Sequence, residues 1–148
     1  AVLNMKLPKS AIDFDGFGFL VPSSENSVVL GMVANSNTFP EHGTEEFHVN
    51  TVMLGGARYS YEELKSMDLN LEVKKFLAKV FKRELNIEKQ EMRLLEKAIP
   101  QYEKNHLEKV NRIGNNSPTN LVVLGNYMYG VSIIDIIMKS REYTSSTR

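Results

Sequence analysis

Apolar residues along this chain change their period near its middle. The first half is built of short apolar runs closed by turn residues. Ala1 to Leu7 alternates loosely up to Pro8, and Phe17 to Val21 stops at Pro22. Val28 to Ala34 follows a polar turn at Ser23 to Ser27, and Val49 to Leu54 ends on Gly55-Gly56. Proline cannot donate to a ladder and glycine bends the chain freely, so both punctuate strands. Runs of this length between turn signals predict strands, the last three forming an antiparallel meander. From Leu69 the spacing switches to three and four: Leu69, Val73, Phe76, Leu77, Val80, Phe81 and Leu85, with charges between them. That pattern predicts an amphipathic helix, N-capped by Asp68 and stopped near Asn86.

The remainder is less regular. Met92 to Ile99 fits strand or helix and closes at Pro100. His106 to Ile113 predicts a short helix, Gly114 to Pro118 a loop, and Leu121 to Leu124 a short buried strand. Gly125 to Gly130 reads as an aromatic-bearing turn. Val131 to Arg141 is rich in β-branched residues, which favour strands. Ser132 followed by Asp135 is, however, a capping-box-like start, and helix is the expectation. The tail Tyr143 to Arg148 is polar and reads as frayed.

Composition narrows the class. The 148 residues are 42% hydrophobic, enough for a core. Eighteen basic residues balance eighteen acidic ones, which argues against nucleic acid as a partner. Without cysteine there is no disulfide framework, thiol nucleophile or cysteine-ligated zinc. No apolar run approaches the ~18 residues of a membrane-spanning helix.

Few residues point to chemistry on their own. The segment Leu121 to Arg141 predicts strand, glycine turn and helix. That arrangement presents free N–H groups and a helix dipole to a phosphate or an electron-rich ring edge, with Gly130 permitting close approach. An ordinary strand-to-helix turn has the same spacing. Gly16-Phe-Gly18 lacks the third glycine and the following helix of a dinucleotide fingerprint. Phe17, Leu20, Val33 and Met53 lie on three neighbouring runs. They read either as a core sheet face or as the wall of an apolar cleft for a large flat ligand. His42, His48 and His106 have no partner at metal-ligand spacing, so no metal site is assigned. The first two read as solvated and His106 as a structural hydrogen-bonding residue. No Gly-x-Ser-x-Gly elbow is present.

Several segments in order carry a resemblance. They are Gly16-Phe-Gly-Phe-Leu-Val-Pro-Ser-Ser-Glu25, Leu30-Gly-Met-Val33, Phe39-Pro-Glu41 and Thr51-Val-Met-Leu-Gly-Gly56. Ile99-Pro-Gln-Tyr102 with His106, and Gly125 to Gly130 running into Val131-Ser-Ile-Ile-Asp135, follow. Together they resemble the C-terminal third of the protoporphyrinogen oxidase family, within the flavin-containing amine oxidases. The sequence departs from the family pattern at Asn105, Ile136 and Ser140.

The resemblance implies an α+β fragment of a larger fold, a mixed or antiparallel sheet with flanking helices. Residues 1–93 would belong to the substrate-binding part. Residues 94–148 would supply the closing strand and helix of a Rossmann-like FAD-binding part. It implies FAD as cofactor, with dioxygen-linked, six-electron oxidation of protoporphyrinogen IX to protoporphyrin IX in haem biosynthesis. By the same resemblance Gly130, Val131 and Ser132 would meet the flavin, Leu94 and Leu95 would pass beside it, and Phe17, Leu20, Val33 and Met53 would wall the tetrapyrrole cleft. No side chain is assigned a catalytic role. A homodimer held peripherally at the mitochondrial inner membrane is the family expectation. The alternative is a truncated, non-catalytic paralogue that binds a tetrapyrrole or a protein partner.

Overall fold

The structure, a computed structural model, describes residues 1–146. It divides into two compact units, Ala1–Glu96 and Lys97–Arg148. Each is described by itself.

The first unit is a five-stranded sheet with helices on one face. Its strands are β1 (Val2–Pro8), β2 (Gly18–Leu20), β3 (Val29–Val33), β4 (Phe47–Leu54) and β5 (Lys89–Arg93), in the order β2-β3-β4-β1-β5. Every pairing is antiparallel. The expected meander is present as β2-β3-β4, and β1 lies between β4 and β5. The side-chain alternation of a strand then sorts the residues. On one face Leu3, Met5 and Leu7 of β1, Met32 of β3 and Val52 and Leu54 of β4 are buried.

Helices close that face. After β4 comes α2 (Tyr61–Ser66), then α3 (Leu69–Phe81). Leu64 of α2 joins the core with Leu69, Val73 and Leu77 of α3, which share the apolar stripe of the helix. Burial of each such side chain stabilises by ~1.5–3 kcal/mol. Phe14, Phe19 and Phe81 add an edge-to-face cluster, and Phe76 lies tilted against Phe19, with ring centroids 6.1–6.5 Å apart. The Asp68 carboxylate accepts from the Leu71 amide at 3.0 Å, the expected N-cap. The helix ends earlier than Asn86: Lys82 takes a left-handed conformation and donates its backbone N–H to Ala78 O. Leu85 therefore follows the helix and packs on the core from the loop.

A short helix, α1 (Asn35–Thr38), follows β3. Ser36 Oγ accepts from the Val49 amide at 2.6 Å and ties it to β4. Met92 to Ile99, open between strand and helix, is resolved in part as β5, which ends at Arg93.

The second unit holds α4 (His106–Asn116) and α5 (Ile133–Ser146). The predicted loop at Gly114 is helical, since α4 continues through Asn116. The predicted strand at Leu121 to Leu124 is absent. These residues find no strand among the described residues to pair with, and a ladder needs a neighbour. Leu121 is 53% exposed rather than buried. So the strand expected at Leu121 to Leu124 is corrected to an irregular segment, while the helix expected after Ser132 is present as α5. The tail expected to fray is helical through Ser146, and Thr147 and Arg148 lie outside the described residues.

Candidate functional site

The sheet of the first unit has a second face, opposite the helices. Register defines it, because directly paired residues point the same way. One row runs Leu20–Gly31–Met53–Val2–Arg93 across all five strands. The next runs Gly18–Val33–Thr51–Asn4–Glu91. Three of the expected wall residues, Leu20, Val33 and Met53, therefore share this open face rather than the core. Leu20 is 82% exposed, and Val33 and Met53 are half-buried. Phe17, just before β2, is 68% exposed. None of the four belongs to the buried core cluster or packs against it, so the core-face alternative is set aside. Gly31 keeps the row flat, and a Cβ there would run into the Phe19 carbonyl. Asn4 Oδ1 accepts from Thr51 Oγ1 at 2.9 Å, so the polar centre of the face is internally satisfied.

Leu94 and Leu95 continue directly from β5. Leu94 packs on the core of the first unit and Leu95 is exposed. Both leucines lie in the first compact unit, Ala1–Glu96.

Gly130, Val131 and Ser132 form the turn into α5 in the second unit. Gly130 has φ +147°, and a Cβ there would collide with the Asp135 carboxylate. Ser132 Oγ accepts from the Asp135 amide at 3.1 Å, and the Ser132 amide points at Asp135 Oδ2 at 3.4 Å. This is the capping box anticipated from sequence. It leaves the amides of Ile133 and Ile134, the first two helical positions, without intrahelical partners. Those amides suit a hydrogen-bond acceptor such as a ring carbonyl. The Asp135 carboxylate already complements the helix dipole and disfavours a second, phosphate-like charge at the same turn.

The histidines divide. His42 is exposed and lies against Phe39, with ring centroids 5.2 Å apart. His48 was expected to be solvated, but it is half-buried on β4, with Nδ1 buried and without a partner. Burial, then the positive charge of Lys9, holds its pKa below the usual value. His106 has the structural role anticipated. Its ring stacks on Tyr102 at 3.9 Å, and Nε2 lies 3.4 Å from Met128 O. Tyr102 Oη donates to Asn126 O at 2.6 Å. Among the described residues no helix is long and apolar enough to cross a membrane.

Two features escaped sequence reasoning. One is α2, whose capping box Ser60–Glu63 follows the same Ser-x-x-Glu signal. The other is Arg93, whose place in the Leu20–Met53 row depends on strand order.

Comparison with solved structures identifies the fold. A provisionally named protoporphyrinogen oxidase from Exiguobacterium superposes with a TM-score of 0.76, covering 99% of this chain and 33% of that one at 17% identity. The fold is therefore that of part of a protein of this class. By sequence the chain is similar to curated proteins named protoporphyrinogen oxidase. It is 32% identical to "Protoporphyrinogen oxidase" of Dictyostelium discoideum, over 90% of this chain and 30% of the relative. It is 31% identical to that of Bos taurus, over 96% of this chain and 32% of the relative. A 58-residue stretch is 47% identical to that of Homo sapiens, over 38% of this chain and 12% of the relative. No protein-family model matches the chain. The chain spans about a third of the length of the curated relatives it matches.

Proposed function

We propose that this chain is the C-terminal portion of an FAD-dependent protoporphyrinogen oxidase, and that its open sheet face forms one wall of the tetrapyrrole site. The observation that carries the reading is the row Leu20–Gly31–Met53, with Val33 beside it. It offers a flat apolar surface left uncovered by the helices of its own unit. A largely apolar macrocycle gains by displacing water from such a surface. The wall residues orient the macrocycle and exclude water from it.

FAD, when bound, would supply the redox chemistry, with dioxygen as the terminal acceptor. The turn Gly130–Ser132 and the free amides of Ile133 and Ile134 fit an acceptor edge of the flavin ring system. Leu94 and Leu95 would supply apolar contact. Those contributions fall on two units, and the chain holds no complete diphosphate-binding fingerprint. A second reading, a tetrapyrrole-binding module without flavin, is favoured by one observation. The apolar face is complete within Ala1–Glu96 alone.

Titration of the 148-residue chain with protoporphyrin IX, followed by porphyrin fluorescence, tests the wall. Saturable binding is expected. Leu20→Glu should weaken it roughly tenfold or more by placing a charge against the ring. No binding, or binding indifferent to Leu20→Glu, overturns the reading. The same preparation should carry no flavin absorbance. Stoichiometric flavin bands would show that the chain retains the cofactor and would remove the second reading.

A further inference from the structure

The open face is not uniform. Toward β2, β3 and β4 it is apolar, through Leu20, Val33, Met53, Val49 and Phe47. Toward β1 and β5 it is cationic. Arg93 is the last member of the Leu20–Gly31–Met53–Val2 row, and Lys6 and Lys89 are paired directly across β1 and β5. Like charges directly opposite each other in a sheet repel, and an anion resting on them relieves the repulsion. Lys6 is partly occupied, with Nζ 3.8 Å from the Phe47 ring centroid. Lys89 is exposed. Glu91 is the acidic side chain on this part of the face, and its Oε1 accepts from Arg93 Nε at 2.7 Å. The terminal guanidinium N–H groups of Arg93 remain available, and they match a carboxylate in a two-pronged geometry.

We infer that Arg93 anchors a carboxylate of a tetrapyrrole lying on this face, with Lys89 as the neighbouring cation. The inference rests on the proposed reading of the face as the tetrapyrrole wall and adds its polarity: apolar ring over Met53 and Leu20, acidic side chains toward β5. Strands lie ~4.8 Å apart, so Arg93 is two spacings, ~10 Å, from Met53. An arginine side chain is long enough to span part of that distance. A ligand with a flat apolar body and carboxylates on one edge matches that gradient. Reversed, its carboxylates would lie over the apolar end and lose hydration without a partner, so the gradient selects one in-plane orientation. Arg93 is thereby a positioning residue, distinct from the redox step.

The test compares protoporphyrin IX with its dimethyl ester, which keeps the ring and lacks the charges. Both are titrated into the full chain by fluorescence. Arg93→Gln should raise the Kd of the diacid about tenfold and leave the ester unchanged. Glu91→Gln, which releases Arg93 from its neighbour, should tighten the diacid and leave the ester unchanged. Equal effects on diacid and ester, or no effect of Arg93→Gln on the diacid, overturn the anchor while leaving the apolar wall standing. If the wild-type chain binds neither porphyrin, the wall and the anchor fall together.

Discussion

Fourteen of the buried apolar side chains among the described residues lie in Ala1–Glu96, and two, Val110 and Met128, lie in Lys97–Arg148. Both units are rich in apolar residues, so content does not explain the difference. In the first, the stripe of α3 meets the Leu3, Met32, Val52 face of the sheet, and two periodicities interlock over one core. In the second, α5 carries Ile133, Ile134, Ile137 and Met138, all more than half exposed. The order there rests on local polar and aromatic contacts: Tyr102 on Asn126, His106 on Tyr102 and Met128, and the Ser132–Asp135 cap. An apolar stripe stabilises a fold only where a second element buries it.

Core truncation breaks or confirms this contrast most forcefully. Leu77→Ala, at a fully buried position, should destabilise the chain by about 2–5 kcal/mol in urea unfolding. Ile134→Ala, 68% exposed, should fall within about 0.5 kcal/mol of wild type. Comparable losses would mean that the α5 stripe is buried in solution and would collapse the contrast. The capping boxes give an intermediate effect. In α2 the Ser60 amide donates to Glu63 Oε2 at 2.7 Å, and Ser60 Oγ accepts from the Glu63 amide at 3.2 Å. Ser60→Ala should cost about 1 kcal/mol of global stability. Ser132→Ala should show chiefly as lost helical circular dichroism, because α5 has little core to transmit the change. An equal global cost for both would join the two units energetically.

The smallest expected effect is in pH. The folded-state pKa of His48 is lowered, so between that value and the unfolded value near 6.5 the unfolded chain binds more protons. The stability contributed by the neutral imidazole is thus complete above about 6.5 and is lost as pH falls through the folded pKa. His48→Gln should flatten the slope of stability between neutrality and pH 5. An unchanged slope would remove His48 as its source.

Much of the first unit was legible because its signals are local. Pro8, Pro22 and Gly55 end their runs through backbone chemistry, and Asp68 caps its helix by its own carboxylate. Ser132 and Asp135 likewise overrode the strand propensity of the isoleucines that follow, because a cap acts on the turn it adjoins. Leu121 to Leu124 failed for the opposite reason. Four apolar residues favour a strand, but a strand exists only with a hydrogen-bonding neighbour. Lys82 ended α3 before Asn86 by taking a left-handed conformation that nothing in its side chain announces.

The candidate site divides in the same way. Motif resemblance selected Leu20, Val33 and Met53, whereas their burial was open to either reading. By itself the sequence determined the strand runs of β1 to β4, the starts of α3, α4 and α5 and the similarity to protoporphyrinogen oxidases, since each is carried by contiguous residues or ordered motifs. Tertiary structure alone decided which sheet face the helices cover, and that Arg93 completes the row begun by Leu20. Those relations join residues far apart in the chain, and only the strand order and register bring them together.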